Sequence, residues 1–264
     1  MRIYRELPIT RIDGDSAERT EHPVVEEVPV SVMVNGRQLT LAMMSPVQLE
    51  EFAVGHLFTE GIIRSAGSIE SIQVEKQTIK VLTREPFRVI GPRRTILSGC
   101  GGSSSSLDPA KLPKIPPGFE IGAHQLLSAV KTVLDSEIHR LTGGVHVVGL
   151  FNGEGMICTR EDIGRHNALD RVIGYGLGKG TDFSRTFVVS SGRISSEMAR
   201  KCLVAGIPVA ASRSATTTLA VELAERNGLT ICGFARGGRM NVYSHPERIT
   251  GVDLVSTGES PAKR

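Results

Sequence analysis

In the stretch Phe187-Val188-Val189-Ser190-Ser191-Gly192-Arg193-Ile194-Ser195-Ser196-Glu197-Met198-Ala199-Arg200-Lys201-Cys202-Leu203-Val204-Ala205-Gly206-Ile207-Pro208-Val209-Ala210-Ala211, three elements follow one another closely. A strand signal, Phe187–Ser190, gives way to a helix-length segment, Ser195–Ala205, and then to a second strand signal, Ile207–Ala211. Strand, helix and strand at this spacing predict a parallel pair whose crossover helix lies on one face of the sheet. The alternation continues outward. Downstream, Thr216–Arg226 predicts a helix, Leu229–Phe234 a strand, and the region near Asn241–Tyr243 a last short strand. Upstream, Val145–Phe151 and Met156–Thr159 predict strands around the Asn152-Gly153 turn, with a helix near Asn167–Ile173. Before these, Leu126, Leu127, Val130, Val133, Leu134, Ile138 and Leu141 mark one long amphipathic helix ended by Gly143-Gly144. Residues 120–264 therefore read as an α/β domain with helices on both faces of its sheet.

The preceding part reads differently. Val28–Val34 and Gln38–Met43 are strand signals separated by Asn35-Gly36, a pair that tolerates positive φ and favours a tight hairpin. Ser45-Pro46-Val47-Gln48 predicts a helix start, with Ser45 as cap, Pro46 at the first helical position and Gln48 reaching back. Leu49, Phe52, Ala53 and Leu57 follow at helical spacing and Gly61 ends the helix; His56 beside that face reads as a packed core histidine without a role. Ser71–Val74 and Thr78–Leu82 suggest a smaller hairpin. Between Leu107 and Phe119 stand Pro109, Pro113, Pro116 and Pro117, a density that excludes regular structure and stiffens the backbone. The expected organisation is an N-terminal α+β domain over 1–106, a proline-rich linker over 107–119, and the α/β domain over 120–264.

Composition narrows the function. With 40% apolar and 22% charged residues, the chain of 264 has the balance of a globular protein with a real core. A net charge of +3, aromatics at 4% and no Trp argue against a nucleic-acid partner, which would call for a strong basic field or stacking platforms. The N-terminal Met1-Arg2-Ile3-Tyr4-Arg5-Glu6 lacks an apolar signal core and no run is long enough to span a bilayer, so the expectation is a cytoplasmic protein with no membrane partner. The four cysteines, Cys100, Cys158, Cys202 and Cys232, show no metal-ligand spacing and no disulfide framework.

Two places could carry chemistry. The run Thr95-Ile96-Leu97-Ser98-Gly99-Cys100-Gly101-Gly102-Ser103-Ser104-Ser105-Ser106 leads an apolar segment into a glycine and serine loop with one thiol, just after Arg93 and Arg94. Glycines leave the sulfur uncrowded and nearby positive charge favours the thiolate, so Cys100 is the candidate nucleophile. Cys158, Cys202 and Cys232 fall inside predicted elements, where burial makes a thiol inert. The second place is the carboxyl edge of the sheet, where α/β proteins bind ligands. Six arginines fall at or near the predicted strand ends: Arg160 and Arg165, Arg193, Arg213, and Arg236 and Arg239 in Phe234-Ala235-Arg236-Gly237-Gly238-Arg239. Guanidinium forks match phosphate and helix N-termini offer free N–H groups, so the arrangement favours a polyanionic ligand over arginines paired to Glu161, Asp162 and Glu197. The element order resembles the zinc-dependent cytidine deaminases, whose second layer would make residues 120–264 a three-layer sandwich. Their metal-binding stretches correspond here to Gly164-Arg165-His166-Asn167 and Ser191-Gly192-Arg193-Ile194, which offer no zinc ligand set, so no zinc is expected.

Four segments together carry a more specific resemblance: Glu51-Phe52-Ala53-Val54-Gly55-His56-Leu57-Phe58-Thr59-Glu60-Gly61-Ile62-Ile63, Glu161-Asp162-Ile163-Gly164-Arg165-His166-Asn167-Ala168-Leu169-Asp170, Ser191-Gly192-Arg193-Ile194-Ser195-Ser196-Glu197-Met198 and Gly233-Phe234-Ala235-Arg236. These resemble the FdhD/NarQ family of formate dehydrogenase accessory proteins. The resemblance implies a sulfurtransferase that takes sulfur from a cysteine desulfurase as a persulfide. It passes that sulfur to the molybdenum bis(molybdopterin guanine dinucleotide) cofactor of a formate dehydrogenase. It also implies a deaminase-like second domain, homodimers, a persulfide on Cys100, and a cofactor-binding segment from Phe234 through Ala235, Arg236, Gly237 and Gly238 to Arg239. Many members carry Cys-x-x-Cys in the loop, whereas Leu97 and Ser103 stand at that spacing here. One thiolate suffices to accept and carry sulfur, and a second would assist its release by exchange. Two other readings stay open: a cofactor-binding chaperone without sulfur chemistry, and a nucleotide hydrolase on a deaminase-like scaffold.

Overall fold

A computed structural model describes residues 3–84, 94–96 and 111–252; Arg93, Cys100, the serine run and the first part of the expected linker lie outside them. The described residues open with a hairpin outside the expected elements, β1 (Tyr4–Asp13) and β2 (Ser16–Val25), turning at Gly14 with φ 57°. It forms a two-stranded sheet of its own, with most side chains exposed. The Asn35-Gly36 hairpin forms as expected between β3 (Val28–Val34) and β4 (Arg37–Met44), with φ of 49° and 77° at the turn. Alternate residues Val30, Val32 and Val34 are fully buried, because side chains on a strand point to opposite faces. They pack on helix α1 (Leu49–Thr59) through Phe52, Ala53 and Leu57.

Ser45 does not cap α1. The residue before the helix is Gln48, held at φ 43° with no side-chain cap, and the Ser45 backbone is engaged elsewhere. After α1 come β5 (Ile69–Glu75), β6 (Thr78–Thr83) and β7 (Arg94–Ile96), giving a five-stranded sheet in the order β5-β6-β3-β4-β7. Strand β7 runs parallel to β4, with Ile96 beside Ala42.

The second half begins with β8 (Ile121–Gly122) and α2 (Ala123–Leu134). The long amphipathic helix expected to Leu141 is broken: Asp135 ends α2, and Ser136 caps a short α3 (Glu137–Thr142) by accepting the His139 N–H at 3.4 Å. Asp and Ser favour caps over helix interiors, which is why the break falls there. Then follow β9 (His146–Asn152), β10 (Gly155–Asp162), α4 (Arg165–Gly178), β11 (Thr186–Ser190), α5 (Ser196–Ala205), β12 (Val209–Ser212), α6 (Thr218–Asn227), β13 (Thr230–Arg236), β14 (Arg239–Val242) and β15 (Ile249–Thr250). Gly174, Gly176 and Gly178 lie within α4.

Six strands form one sheet in the order β10-β9-β11-β12-β13-β14. Strands β11, β12 and β13 are parallel, while β9 and β14 run antiparallel to their neighbours. Val148, Leu150, Val188, Ala210 and Ile231 pack on α4, α5 and α6 through Leu169, Ile173, Met198, Leu203 and Ala224. The opposite set, Val147, Phe151, Val189, Val209 and Cys232, packs on α2 through Leu126, Val130 and Val133. The sheet thus sits between two helical layers. Leu112 and Ile115 of the proline-rich segment are buried in the α4–α6 core, and the Ile115 N–H donates to the Asn227 carbonyl at 2.8 Å.

Helices α1 and α4 bring the two halves together. A Cβ on Gly55 would lie 1.8 Å from the Asp170 carbonyl oxygen, and one on Gly174 would lie 1.9 Å from that of Glu51. Both crossing points require glycine.

Candidate functional site

The sheet topology gathers one edge from five chain segments. Because β9 opposes β11, the start of β9 at His146 joins the ends of β10, β11, β12 and β13 on the same side. The turns there are laced by hydroxyls. Ser190 Oγ accepts the Gly192 N–H at 3.1 Å, and Ser212 Oγ donates to the Gly192 carbonyl at 2.7 Å while accepting the Ser214 N–H at 2.9 Å. These bonds hold the two adjacent turns that present Arg193 and Arg213, both exposed. The Phe234 N–H donates to the Ser214 carbonyl at 2.9 Å, so the predicted Phe234–Arg239 segment starts beside the end of β12.

That segment is the β13–β14 hairpin. A register shift between Gly233 and Arg236 and left-handed φ at Phe234, Gly237 and Gly238 turn it outward. Ala235 is buried beneath it, whereas Phe234, Arg236, Gly237, Gly238 and Arg239 are exposed. The Arg236 guanidinium lies over the Phe234 ring at 6.0 Å, which leaves its N–H fork at the surface.

At the other end, helix α4 starts at Gly164 with no side chain capping its first N–H groups. Arg165 keeps a buried Nε without a hydrogen-bond partner. The His166 Nε2 and Ser195 Oγ are 3.1 Å apart, and His146 Nδ1 lies 3.4 Å from Ser191 Oγ. Burial, reinforced by the Arg165 charge, lowers both imidazoles, His166 to about 3. Both rings are therefore neutral near pH 7, and the positive charge of the edge is carried by guanidinium groups. Beside His146 opens a cleft of about 210 Å³ lined by His139, His146, Ile163, Ser191 and Arg213. Guanidinium forks, uncapped N–H groups and a glycine hairpin fit a pyrophosphate-bearing ligand.

One arginine leaves the predicted set. Arg160 grips the Glu51 carboxylate through Nε at 2.5 Å and Nη2 at 2.8 Å, and stacks over Tyr175 at 4.6 Å. It serves the contact between the halves. Two of the acids weighed as partners for the edge arginines are engaged elsewhere too: Asp162 pairs with Arg171 at 2.6 Å and Glu161 bonds Ser136.

Sequence reasoning missed a buried polar network behind the edge. Lys201 Nζ contacts both Asp170 oxygens at 2.8 and 2.7 Å and Thr59 Oγ1 at 3.1 Å. His56 Nδ1 meets the same carboxylate at 3.2 Å, and Arg200 reaches the Glu60 carboxylate and the Thr59 carbonyl. Lys201, although desolvating it would be costly, holds Asp170 well below the usual carboxylate range. The available signal was Arg200-Lys201 inside an otherwise apolar helical stripe. His56, read as an inert core histidine, belongs to this network.

Cys158, Cys202 and Cys232 are buried, and burial pushes their thiols up to about 11, 12 and 12. None of the three is thiolate near pH 7. Cys100 lies outside the described residues. No helix among the described residues is long and apolar enough to cross a membrane.

Residues 25–250 match the model of the FdhD/NarQ family. The chain is 36% identical over 251 residues to the sulfur carrier protein FdhD of Methanothermobacter thermautotrophicus, covering 94% of this chain and all of that one. It is 34% identical over 236 residues to the sulfur carrier protein FdhD of Bacillus pumilus, covering 86% and 90% respectively. A crystal structure from Desulfotalea psychrophila, provisionally described as a formate dehydrogenase accessory protein, superposes with a TM-score of 0.81 at 28% identity, over 94% of this chain and 100% of that chain.

Proposed function

The chain belongs to the FdhD/NarQ family, and on that premise we propose that it is a sulfur carrier serving a formate dehydrogenase. Cys100 accepts sulfur from a cysteine desulfurase as a persulfide. The substrate it sulfurates is the molybdenum bis(molybdopterin guanine dinucleotide) of the client enzyme. That cofactor binds along the strand-end edge, with its phosphates against Arg213, Arg236 and Arg239 and the Phe234–Arg239 hairpin closing over it. The observation that carries the reading is the pairing of a guanidinium-rich, glycine-turned edge with three described thiols too basic to act, which leaves the loop cysteine for the sulfur. The sandwich over 120–264 serves as a deaminase-like scaffold, and the protein works as a cytoplasmic homodimer.

In the transfer, the Cys100 thiolate attacks the outer sulfur of the desulfurase persulfide and takes it as its own; the donor cysteine leaves as thiolate. Neutral His146 and His166 add no charge to the edge, so phosphate affinity there rests on guanidinium and backbone N–H groups. A cofactor chaperone without sulfur chemistry would use the same edge. The two separate by substitution. Cys100→Ala should abolish the 32 Da gain in intact mass after incubation with desulfurase and cysteine (one sulfur atom, about 32 Da), yet bind GDP as the unaltered chain does. Arg236→Ala or Arg239→Ala should load sulfur normally but lose about tenfold in GDP affinity, since a charged hydrogen bond is worth about 1.5–3 kcal/mol. A Cys100→Ala protein that still activates its client fully would leave only the chaperone reading.

A further inference from the structure

The last residue of β10 ties the two halves at a point the helix packing does not need. Asp162 is fully buried. Its Oδ1 accepts the Gly164 N–H at 2.7 Å and the Asn167 side-chain amide at 2.9 Å. Its Oδ2 accepts the Ser45 N–H at 2.9 Å and faces Arg171 at 2.6 Å. Asn167 Nδ2 also donates to the Met43 carbonyl at 3.0 Å, and Arg171 Nη2 donates to the Ser45 carbonyl at 2.7 Å. The main chain at 43–45, the end of β4, is thus held from across the interface by three side chains. The same carboxylate fixes Gly164, from which α4 presents Arg165 and His166 to the edge. Beside β4 runs β7, parallel to it and paired through Ile96, four positions before Cys100.

We propose that Asp162 and Asn167 are positioning residues for sulfur delivery, holding the strand pair that leads to the carrier cysteine in register with the phosphate-binding edge. This rests on reading Cys100 as the carrier. Helix docking has its own determinants in the Gly55–Gly174 contact, the Glu51–Arg160 pair and the Glu60–Arg200 pair, so a carboxylate directed at the end of β4 serves alignment.

Asp162→Asn leaves Arg171 buried without its counter-charge and can fail to fold, so Asn167→Ala is the main test. Three quantities are compared with the unaltered chain: sulfur loaded on Cys100 by intact mass, GDP affinity by calorimetry, and the first-order loss of that sulfur to added molybdenum bis(molybdopterin guanine dinucleotide) in its reduced Mo(IV) state, across its concentration range. The two electrons of that state cleave the S–S bond, so the outer sulfur passes to the cofactor and Cys100 leaves as thiolate. Asn167→Ala should load and bind GDP within about twofold while its limiting delivery rate falls about tenfold or more at an unchanged half-saturating concentration, as misplacement of reacting groups does. Delivery at the unaltered rate overturns the proposal, and so does a parallel loss of all three quantities. An unaltered chain that never loads sulfur refutes the carrier reading itself, and this proposal with it, an outcome distinct from normal loading with normal delivery.

Discussion

His166 shows how one residue's surroundings become a property of the fold. Its ring, bonded to Ser195 Oγ, is lowered to about 3 by burial and by the Arg165 and Lys201 charges. The unfolded chain takes up a proton below about pH 6.5, and the folded chain resists it. Folded stability should therefore fall as pH drops from about 6.5 toward 3, by up to about 1.4 kcal/mol per pH unit from this site, with His146 acting in the same direction. Urea unfolding at pH 7.5, 6.5 and 5.5 measures that slope, and His166→Gln should flatten it. An unchanged slope in that variant would assign the acid sensitivity to other groups. The thiols offer a second check at this scale. With Cys158, Cys202 and Cys232 raised to about 11, 12 and 12, iodoacetamide at pH 8 should add one label to the native chain, on Cys100, and labels on all four cysteines only after denaturation. A native adduct on Cys202 would contradict its buried setting.

Between elements, the α1–α4 crossing is the most demanding contact. Adding a methyl at Gly55 meets a carbonyl oxygen at 1.8 Å, and that atom belongs to a helix backbone that cannot swing aside. Gly→Ala inside a helix ordinarily stabilises by about 0.5–1 kcal/mol. Here the sign should reverse. Gly55→Ala should cost about 3 kcal/mol or more, lowering the melting temperature by roughly 6–12 °C. Gly178→Ala in α4, where nothing lies within 4 Å, is the control and should be neutral or stabilising. Equal effects at both positions would mean that the helices do not cross at these glycines. Periodicity and turn chemistry alone announced both strands of the Asn35-Gly36 hairpin and every strand of the six-stranded sheet. They failed at Ser45, where a good capping sequence lost to Asp162 and Arg171, which take the Ser45 backbone.

Across the whole molecule, the two halves meet through buried charge. Glu60 pairs with Arg200 and His56 meets Asp170 across the contact, while Thr59 of α1 bonds the Asp170–Lys201 pair and the Ser45 backbone bonds the Asp162–Arg171 pair. An isolated half would expose some of these groups and strand others without partners, a loss of several kcal/mol for each broken buried pair. Residues 107–264 expressed alone should consequently be poorly soluble or partly unfolded, and co-expression with residues 1–106 should restore a cooperative melting transition. A C-terminal piece that melts cooperatively at the temperature of the intact chain would show that the contact contributes little.

The sequence by itself determined the strands of the six-stranded sheet and the helices between them, the turn glycines, the arginine and glycine segment Phe234–Arg239, and the family. Each of these is written in residues adjacent or periodic along the chain, where a local rule has only a few outcomes. Only the tertiary structure decided that Arg160 turns away from the edge to Glu51, that His56 shares a carboxylate with Lys201, and that one aspartate links Ser45, Gly164, Asn167 and Arg171. Those partners stand more than a hundred positions apart in several cases, and a charged residue's sequence neighbours carry no trace of which distant group will be desolvated beside it. A buried charge takes whichever opposite group the packing delivers, because leaving it unpaired costs more than any local preference can offset.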